Sequence, residues 1–252
     1  VRKIALLMAV LFSSAYFTFS QIPDAKYLQT VKTDISLPAE AGKNVIRLFQ
    51  AEKRITVVTS EGTFHYANGK WSRQNSGSDW KTASVDNQGK IWLAKQNYIQ
   101  NESGSSKITL PESSKNDSIL CLFWEEEKTL LVGTTSGLLT WNEKWQIQSE
   151  IKGKVNAIEK DAFGNLWVAT NNGLWRRSEG KWVNLDETLM AVGNEKTYFS
   201  LATQNDGKDV LFSSPWSVGC IAEDGNHWAV RGADGLPYGP VTVIRRAENG
   251  LW

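Results

Sequence analysis

Residues 155–182 read VNAIEKDAFGNLWVATNNGLWRRSEGKW, and most of the chain echoes that phrase. A unit that recurs at a steady interval constrains the fold more than composition does, because every copy must be the same small supersecondary piece. One column of the repeat is a tight turn followed by tryptophan: Asn68-Gly69-Lys70-Trp71, Asn142-Glu143-Lys144-Trp145, Glu179-Gly180-Lys181-Trp182 and Asp224-Gly225-Asn226-His227-Trp228. A second column is an apolar run ending in a small or hydroxyl residue: Ile91-Trp92-Leu93-Ala94, Leu130-Leu131-Val132-Gly133-Thr134, Leu166-Trp167-Val168-Ala169-Thr170 and Val210-Leu211-Phe212-Ser213. Thr59, Lys95, Thr134, Thr170 and Ser213 follow one another at intervals of about 36–43 residues.

Within a unit the apolar pattern has period two, so its elements are strands. Val155, Ala157 and Glu159 are expected to face one way, and Asn156, Ile158 and Lys160 the other. Asp161-Ala162-Phe163-Gly164 reads as a turn, Asn165–Thr170 as a second strand, Leu174–Arg177 as a third and Lys181–Leu185 as a fourth. Four short strands cannot bury both faces alone, so such units stack face to face. The fold class predicted is all-β, a β-propeller of four-stranded blades with about five and a half blades in this chain. The tryptophans of the turn column, Trp145 and Trp182 among them, are expected to be equivalent core positions packing blade on blade.

Residues 1–20 read as a secretory leader: Arg2-Lys3, an apolar run Ile4–Phe12, then Thr18 and Ser20 before a cut at Gln21. The apolar run falls short of the ~20 residues that a membrane span needs. Residues 21–44 are a lead-in or closing strand, and residues 45–252 carry the repeats, with the last unit stopping inside its second column. The net charge of +1 becomes slightly negative without the leader, so nothing in it favours nucleic acid or an anionic membrane. The run Glu125-Glu126-Glu127 is expected to be a solvated hairpin tip. Cys121 and Cys220 sit in apolar strands of non-adjacent units and read as buried small hydrophobes.

No nucleophile-and-base constellation is visible, and His65 and His227 are the only histidines. No metal site or cofactor is expected. Asp86 and Asp161 read as turn residues whose carboxylates accept backbone N–H groups.

Gly235-Leu236-Pro237-Tyr238, Gly133-Thr134-Thr135-Ser136-Gly137-Leu138 and, almost throughout, Asp161–Leu174 resemble the two-component regulator propeller repeat. The resemblance implies a seven-bladed propeller when complete, exported to the periplasm of a Gram-negative bacterium or secreted. It also implies a sensor region that recognises an oligosaccharide or small molecule, with membrane attachment only through a downstream segment and a homodimer where a kinase follows. A secreted carbohydrate-active enzyme, an adhesin or a protein-interaction platform on the same scaffold is the alternative. The resemblance places ligand recognition on the face carrying the second-to-third-strand loops and the between-unit loops. On that face Trp80, Trp216 and Tyr238, which lie outside the repeating tryptophan registers, are the candidates for sugar stacking. Asn97, Asn171 and Asn172 are the candidates for hydrogen bonds to a neutral polyol.

Overall fold

The computed structural model describes residues 35–51, 54–189, 196–204, 206–236, 239–247 and 250–251. The expected leader, the lead-in up to residue 34, Tyr238 and Trp252 lie outside the described residues. The chain divides into two units, Val1–Ser36 and Leu37–Trp252; only Ile35 and Ser36 of the first are described, and the propeller belongs to the second.

Five four-stranded antiparallel meanders succeed one another as the blades of a β-propeller. Blade 1 is β1 (Val45–Ala51), β2 (Arg54–Thr59), β3 (Gly62–Ala67) and β4 (Lys70–Asn75). Blade 2 is β5 (Thr82–Val85), β6 (Ile91–Ala94), β7 (Tyr98–Asn101) and β8 (Lys107–Thr109). Blade 3 is β9 (Ile119–Trp124), β10 (Leu130–Thr134), β11 (Gly137–Asn142) and β12 (Lys144–Lys152). Blade 4 is β13 (Val155–Lys160), β14 (Leu166–Thr170), β15 (Gly173–Ser178) and β16 (Lys181–Asn184). Blade 5 is β17 (Ser200–Gln204), β18 (Asp209–Ser213), β19 (Ser217–Ile221) and β20 (His227–Arg231). A short pair, β21 (Arg246–Ala247) and β22 (Gly250–Leu251), comes after blade 5. One helical turn, α1 (Asp186–Leu189), interrupts the connection between blades 4 and 5 and buries Leu189.

The core lies between blades rather than within them. Trp167, Ala169 and Leu174 of blade 4 pack on Tyr198, Leu201, Val210 and Phe212 at blade 5. Leu166 and Val168, the alternate positions of the same β14, pack on Cys121, Leu131 and Leu138 of blade 3. Each second strand is thus buried on both faces, which is why it reads as an unbroken apolar run. Each fully buried Leu, Val or Ile contributes roughly 1.5–3 kcal/mol relative to remaining exposed. Both cysteines are free and buried, as expected of small core residues.

The first strands depart from simple alternation. Between Val155 and Ala157 the pairing of β13 with β14 shifts by one residue, and β1 does the same between Val45 and Arg47. A bulge adds one residue and re-aims the side chains beyond it. Val155 and Ile158, rather than Val155 and Ala157, are therefore the buried positions of β13.

The tryptophan columns also change places. The turn-column residues Trp145 and Trp182 are half-buried on outermost strands, not core. Trp145 Nε1 donates to the Thr109 carbonyl of the preceding blade at 2.9 Å, and Trp182 Nε1 to Gln148 Oε1 at 3.1 Å, so they do join blades, at the rim. The deeply buried pair is Trp92 and Trp167, at 8% and 3% exposure. The acidic run is likewise not wholly solvated. Glu126 and Glu127 are exposed, whereas Glu125 turns inward and meets Arg177 Nη2 of blade 4 at 2.5 Å.

Candidate functional site

Two families of turn hold the blades in shape. Asp161 Oδ1 accepts the N–H groups of Phe163 and Asn165, both at 2.9 Å. Its Oδ2 accepts Asn165 Nδ2 at 2.9 Å and the indole Nε1 of Trp167 at 2.8 Å. Asp86 repeats the device, taking the N–H groups of Gln88 and Lys90 and the indole of Trp92. Both oxygens of each carboxylate are therefore engaged in holding the turn and the indole of the following strand.

The second family closes the hairpin between second and third strands. Thr170 Oγ1 donates to the Gly173 carbonyl at 2.7 Å and accepts the Asn172 N–H at 3.0 Å. Thr59 with Gly62 and Thr134 with Gly137 make the same lock. Gly173 has φ +126°, and a Cβ there would stand 2.5 Å from Asn184 Nδ2, so glycine alone fits.

These hairpins meet the between-blade connections on one face, as expected. Asp79 N–H donates to the Ser60 carbonyl, Thr135 N–H to Ser118, Gly153 N–H to Ser136 and Tyr198 N–H to Thr170. Ser136 Oγ donates to Asp117 Oδ1 at 2.5 Å.

The sequence candidates on this face are used unevenly. Trp80 is a correction: it is 3% exposed and packs with Val58, Ala83, Ile91 and Leu93, so no sugar can stack on it. Its ring is covered by Lys95, whose Nζ lies 4.8 Å from the ring centre. Asn97 is half-buried, and its carbonyl accepts the Leu110 N–H at 2.9 Å. Asn171 is exposed, yet its Oδ1 accepts the Lys154 N–H at 2.8 Å and its carbonyl accepts the Thr197 hydroxyl. Its neighbour Asn172 is exposed on the same hairpin. Trp216, 68% exposed, sits in the corresponding hairpin of blade 5 and is open to a ligand.

A polar cavity is lined by a different set of residues. The first strands of blades 1, 3, 4 and 5, with Thr242, Val243 and Arg245, line a space of about 450 Å³ at the hub. None of the described sequence candidates lines it. Its polar lining is Arg47, Asn156, Glu159, Ser200, Thr203, Thr242 and Arg245, beside apolar Leu122, Ile158, Leu201 and Val243. Arg245 Nη1 donates to the Ile244 carbonyl at 2.8 Å and to Ser200 Oγ at 3.4 Å. Ser200 Oγ also accepts the Ile244 N–H at 3.2 Å, tying this segment to β17. Asn156, the extra residue of the β13 bulge, donates from Nδ2 to the Tyr198 carbonyl at 2.7 Å.

Burial pushes the Glu159 carboxyl above its ordinary value; the Lys160 backbone N–H and the charges of Arg245 and Arg47 pull the other way. No signal in the sequence of β13 points to this cavity, since Glu159 is one of three polar residues on that strand.

The family model of the two-component regulator propeller matches residues 149–172, so the resemblance to that repeat holds across the junction of blades 3 and 4. No curated protein matches the chain in sequence. Among solved structures, the extracellular domain assigned to a hybrid two-component system of B. thetaiotaomicron aligns with a TM-score of 0.65 at 16% identity, over 87% of this chain and 31% of that one. An ancestral GH74 enzyme aligns with a TM-score of 0.63 at 14% identity, over 85% of this chain and 34% of that one. Virginiamycin B lyase of Staphylococcus aureus aligns with a TM-score of 0.62 at 14% identity, over 83% and 76%. The chain spans about a third of the length of the sensor domain it matches. At these identities the likeness is one of fold.

Proposed function

We propose that this propeller is the ligand-sensing part of an exported two-component regulatory protein, and that its hub cavity receives an oligosaccharide. The observation that carries the reading is the cavity itself. Its 450 Å³ falls within the range of small-molecule sites, and its lining, drawn from four blades, combines an apolar floor with amide, hydroxyl and charged groups. A ligand touching several blades at once can bias how they sit against one another, which is what a sensor requires. The regulator-propeller repeat and the likeness to a hybrid two-component ectodomain support the sensor role and an extracellular or periplasmic setting.

The second reading, an enzyme, is favoured by the likeness to a glycoside hydrolase and to a lyase. Glycoside cleavage ordinarily needs two carboxyl groups flanking the bond. Among the described cavity-lining residues only Glu159 supplies one.

The test is calorimetry of the chain against an oligosaccharide library, with two sets of variants. Ala157→Trp fills the cavity and should abolish binding, whereas Asn171→Ala, Asn172→Ala and Trp216→Ala should leave it within about twofold. Loss of binding in the loop variants alone would move the site back to the hairpin face. Turnover of a bound oligosaccharide would favour the enzyme.

A further inference from the structure

We propose that the ligand of the hub cavity carries a carboxylate, held by Arg47 and Arg245: an acidic saccharide of the uronate class rather than a neutral polyol. The inference rests on the reading of the cavity as the ligand site and goes beyond it in naming the charge the ligand must bring.

The argument begins with a charge count. Arg47 enters from β1, Arg245 from the segment after blade 5 and Glu159 from β13, and all three line one cavity. Among the described lining residues there are two arginines and a single carboxylate, so the lining carries one cation more than it can neutralise. The charge of Arg47 acts on Arg245, and both act on Glu159, so the three lie within electrostatic reach of one another. Two cations brought together in a partly buried space repel, and the arrangement is relieved when a second anion enters.

Geometry favours a carboxylate as that anion. A guanidinium offers five N–H donors in a planar fork that matches two carboxylate oxygens. The bonds that hold Arg245, to Ile244 and Ser200, both use Nη1, so the fork is steadied at one corner while its other edge remains for a ligand. A monoanion balances the surplus charge; a phosphate dianion would overshoot it. The remaining polar lining is neutral. Asn156, Thr203 and Thr242 offer an amide and two hydroxyls, the groups that hydrogen-bond sugar hydroxyls. The apolar side chains Leu122 and Ile158 give a sugar ring a face to lie on.

Glu159 then acts as an internal competitor for the arginines. Removing its charge should strengthen ligand binding, the opposite of what a ligand-contacting or purely structural role would give.

The experiment is calorimetry of the full chain with oligogalacturonate and with the same oligomer after reduction of its carboxyl groups. The expected result is saturable binding of the acidic oligomer that weakens as ionic strength rises, with the reduced oligomer at least tenfold weaker. Arg47→Gln and Arg245→Gln should each cost tenfold or more, with the Lys variants intermediate because they keep the charge and lose the fork. Glu159→Gln should bind the acidic oligomer several-fold more tightly. Melting temperatures of all variants establish that each is folded, and the Lys variants carry the test if a Gln variant is not. Equal binding of acidic and reduced oligomers, unchanged in the arginine variants, overturns the carboxylate assignment while the saccharide-sensor reading stands. Preference for a sulfated oligomer over the carboxylated one, or weaker binding in Glu159→Gln, also overturns it. Binding of neither these oligomers nor any in the library overturns both readings together.

Discussion

Blades 4 and 5 pack against each other and solve the same structural problem in different ways. In blade 4 the small member of the inner cross-strand pair is on the second strand and the large one on the third, Ala169 opposite Leu174. Blade 2 pairs Ala94 with Ile99, and blade 3 pairs Gly133 with Leu138, in the same sense. Blade 5 reverses the allocation: Phe212 lies opposite Gly219, and a Cβ on Gly219 would stand 2.2 Å from the Phe212 ring. Each of these pairs sets one small residue against one large one, and either strand can supply the large member. The hairpins differ too. Thr170 pairs directly with Gly173, whereas Ser213 pairs with Val218 across a longer loop, the hydroxyl lock moves to Ser214 and Ser217, and Trp216 is turned out to solvent. The blade with the full repeat signature is locked by side chains at its first two turns, and the blade that departs from it turns Trp216 out to solvent at the second.

The first way to break the comparison is at the clasp. Trp167→Ala should cost about 3–5 kcal/mol, through loss of a buried aromatic and of the donor to Asp161, against about 2 kcal/mol for its blade 5 counterpart Val210→Ala, measured by denaturant unfolding. Similar costs at the two positions would mean that the clasp adds nothing. Asp161→Ala, which strands the Trp167 indole and two backbone N–H groups, should cost about 2–4 kcal/mol. The more exposed Asp86→Ala should cost less.

The swapped pair sharpens the comparison further. Phe212→Ala and Gly219→Leu should each destabilise, the first by a cavity and the second by a clash. The double variant, which rebuilds the blade 4 arrangement, should recover about 1–3 kcal/mol relative to the sum. Additive costs would show that the two blades do not share one packing rule.

A smaller effect distinguishes the hub strands. Glu159 pairs with Trp167 as Thr203 pairs with Val210, so Glu159→Thr makes blade 4 resemble blade 5 at the cavity. The Glu159 carboxyl is raised above 4.5 by burial, so the folded chain keeps its proton to higher pH than the unfolded chain does. Stability from this group is therefore lost as pH rises from 4.5 through the raised value. The variant should lack that decline when melting is followed against pH; an unchanged profile would remove Glu159 as its source. Least of all, Trp216→Ala should change stability by no more than about 0.5 kcal/mol, since the ring is largely solvated.

Much of the fold is legible in the chain because the bonds responsible are local. The strands of blade 4 fall within a residue or so of where alternation and turn residues put them, and the roles of Asp161 and Thr170 depend on partners within six residues. Trp80 defeats a reading by register. It lies outside the tryptophan columns, so repetition cannot indicate its burial, and only the contacts with Val58 and Leu93 make it core. The bulge at Asn156 is hidden as well, because a one-residue shift changes pairing without changing composition.

The sequence by itself determined the repeat, the four-strand unit, its turns and the propeller class, since these follow from hydrogen bonds and side-chain alternation over a few residues. The tertiary structure alone decided which tryptophans are core and which are rim. It also decided that Arg47, Glu159 and Arg245, each an unremarked position on its own segment, share one cavity. Their meeting depends on successive blades placing first strands around a common axis, a long-range arrangement that leaves no periodic trace in the residues it brings together.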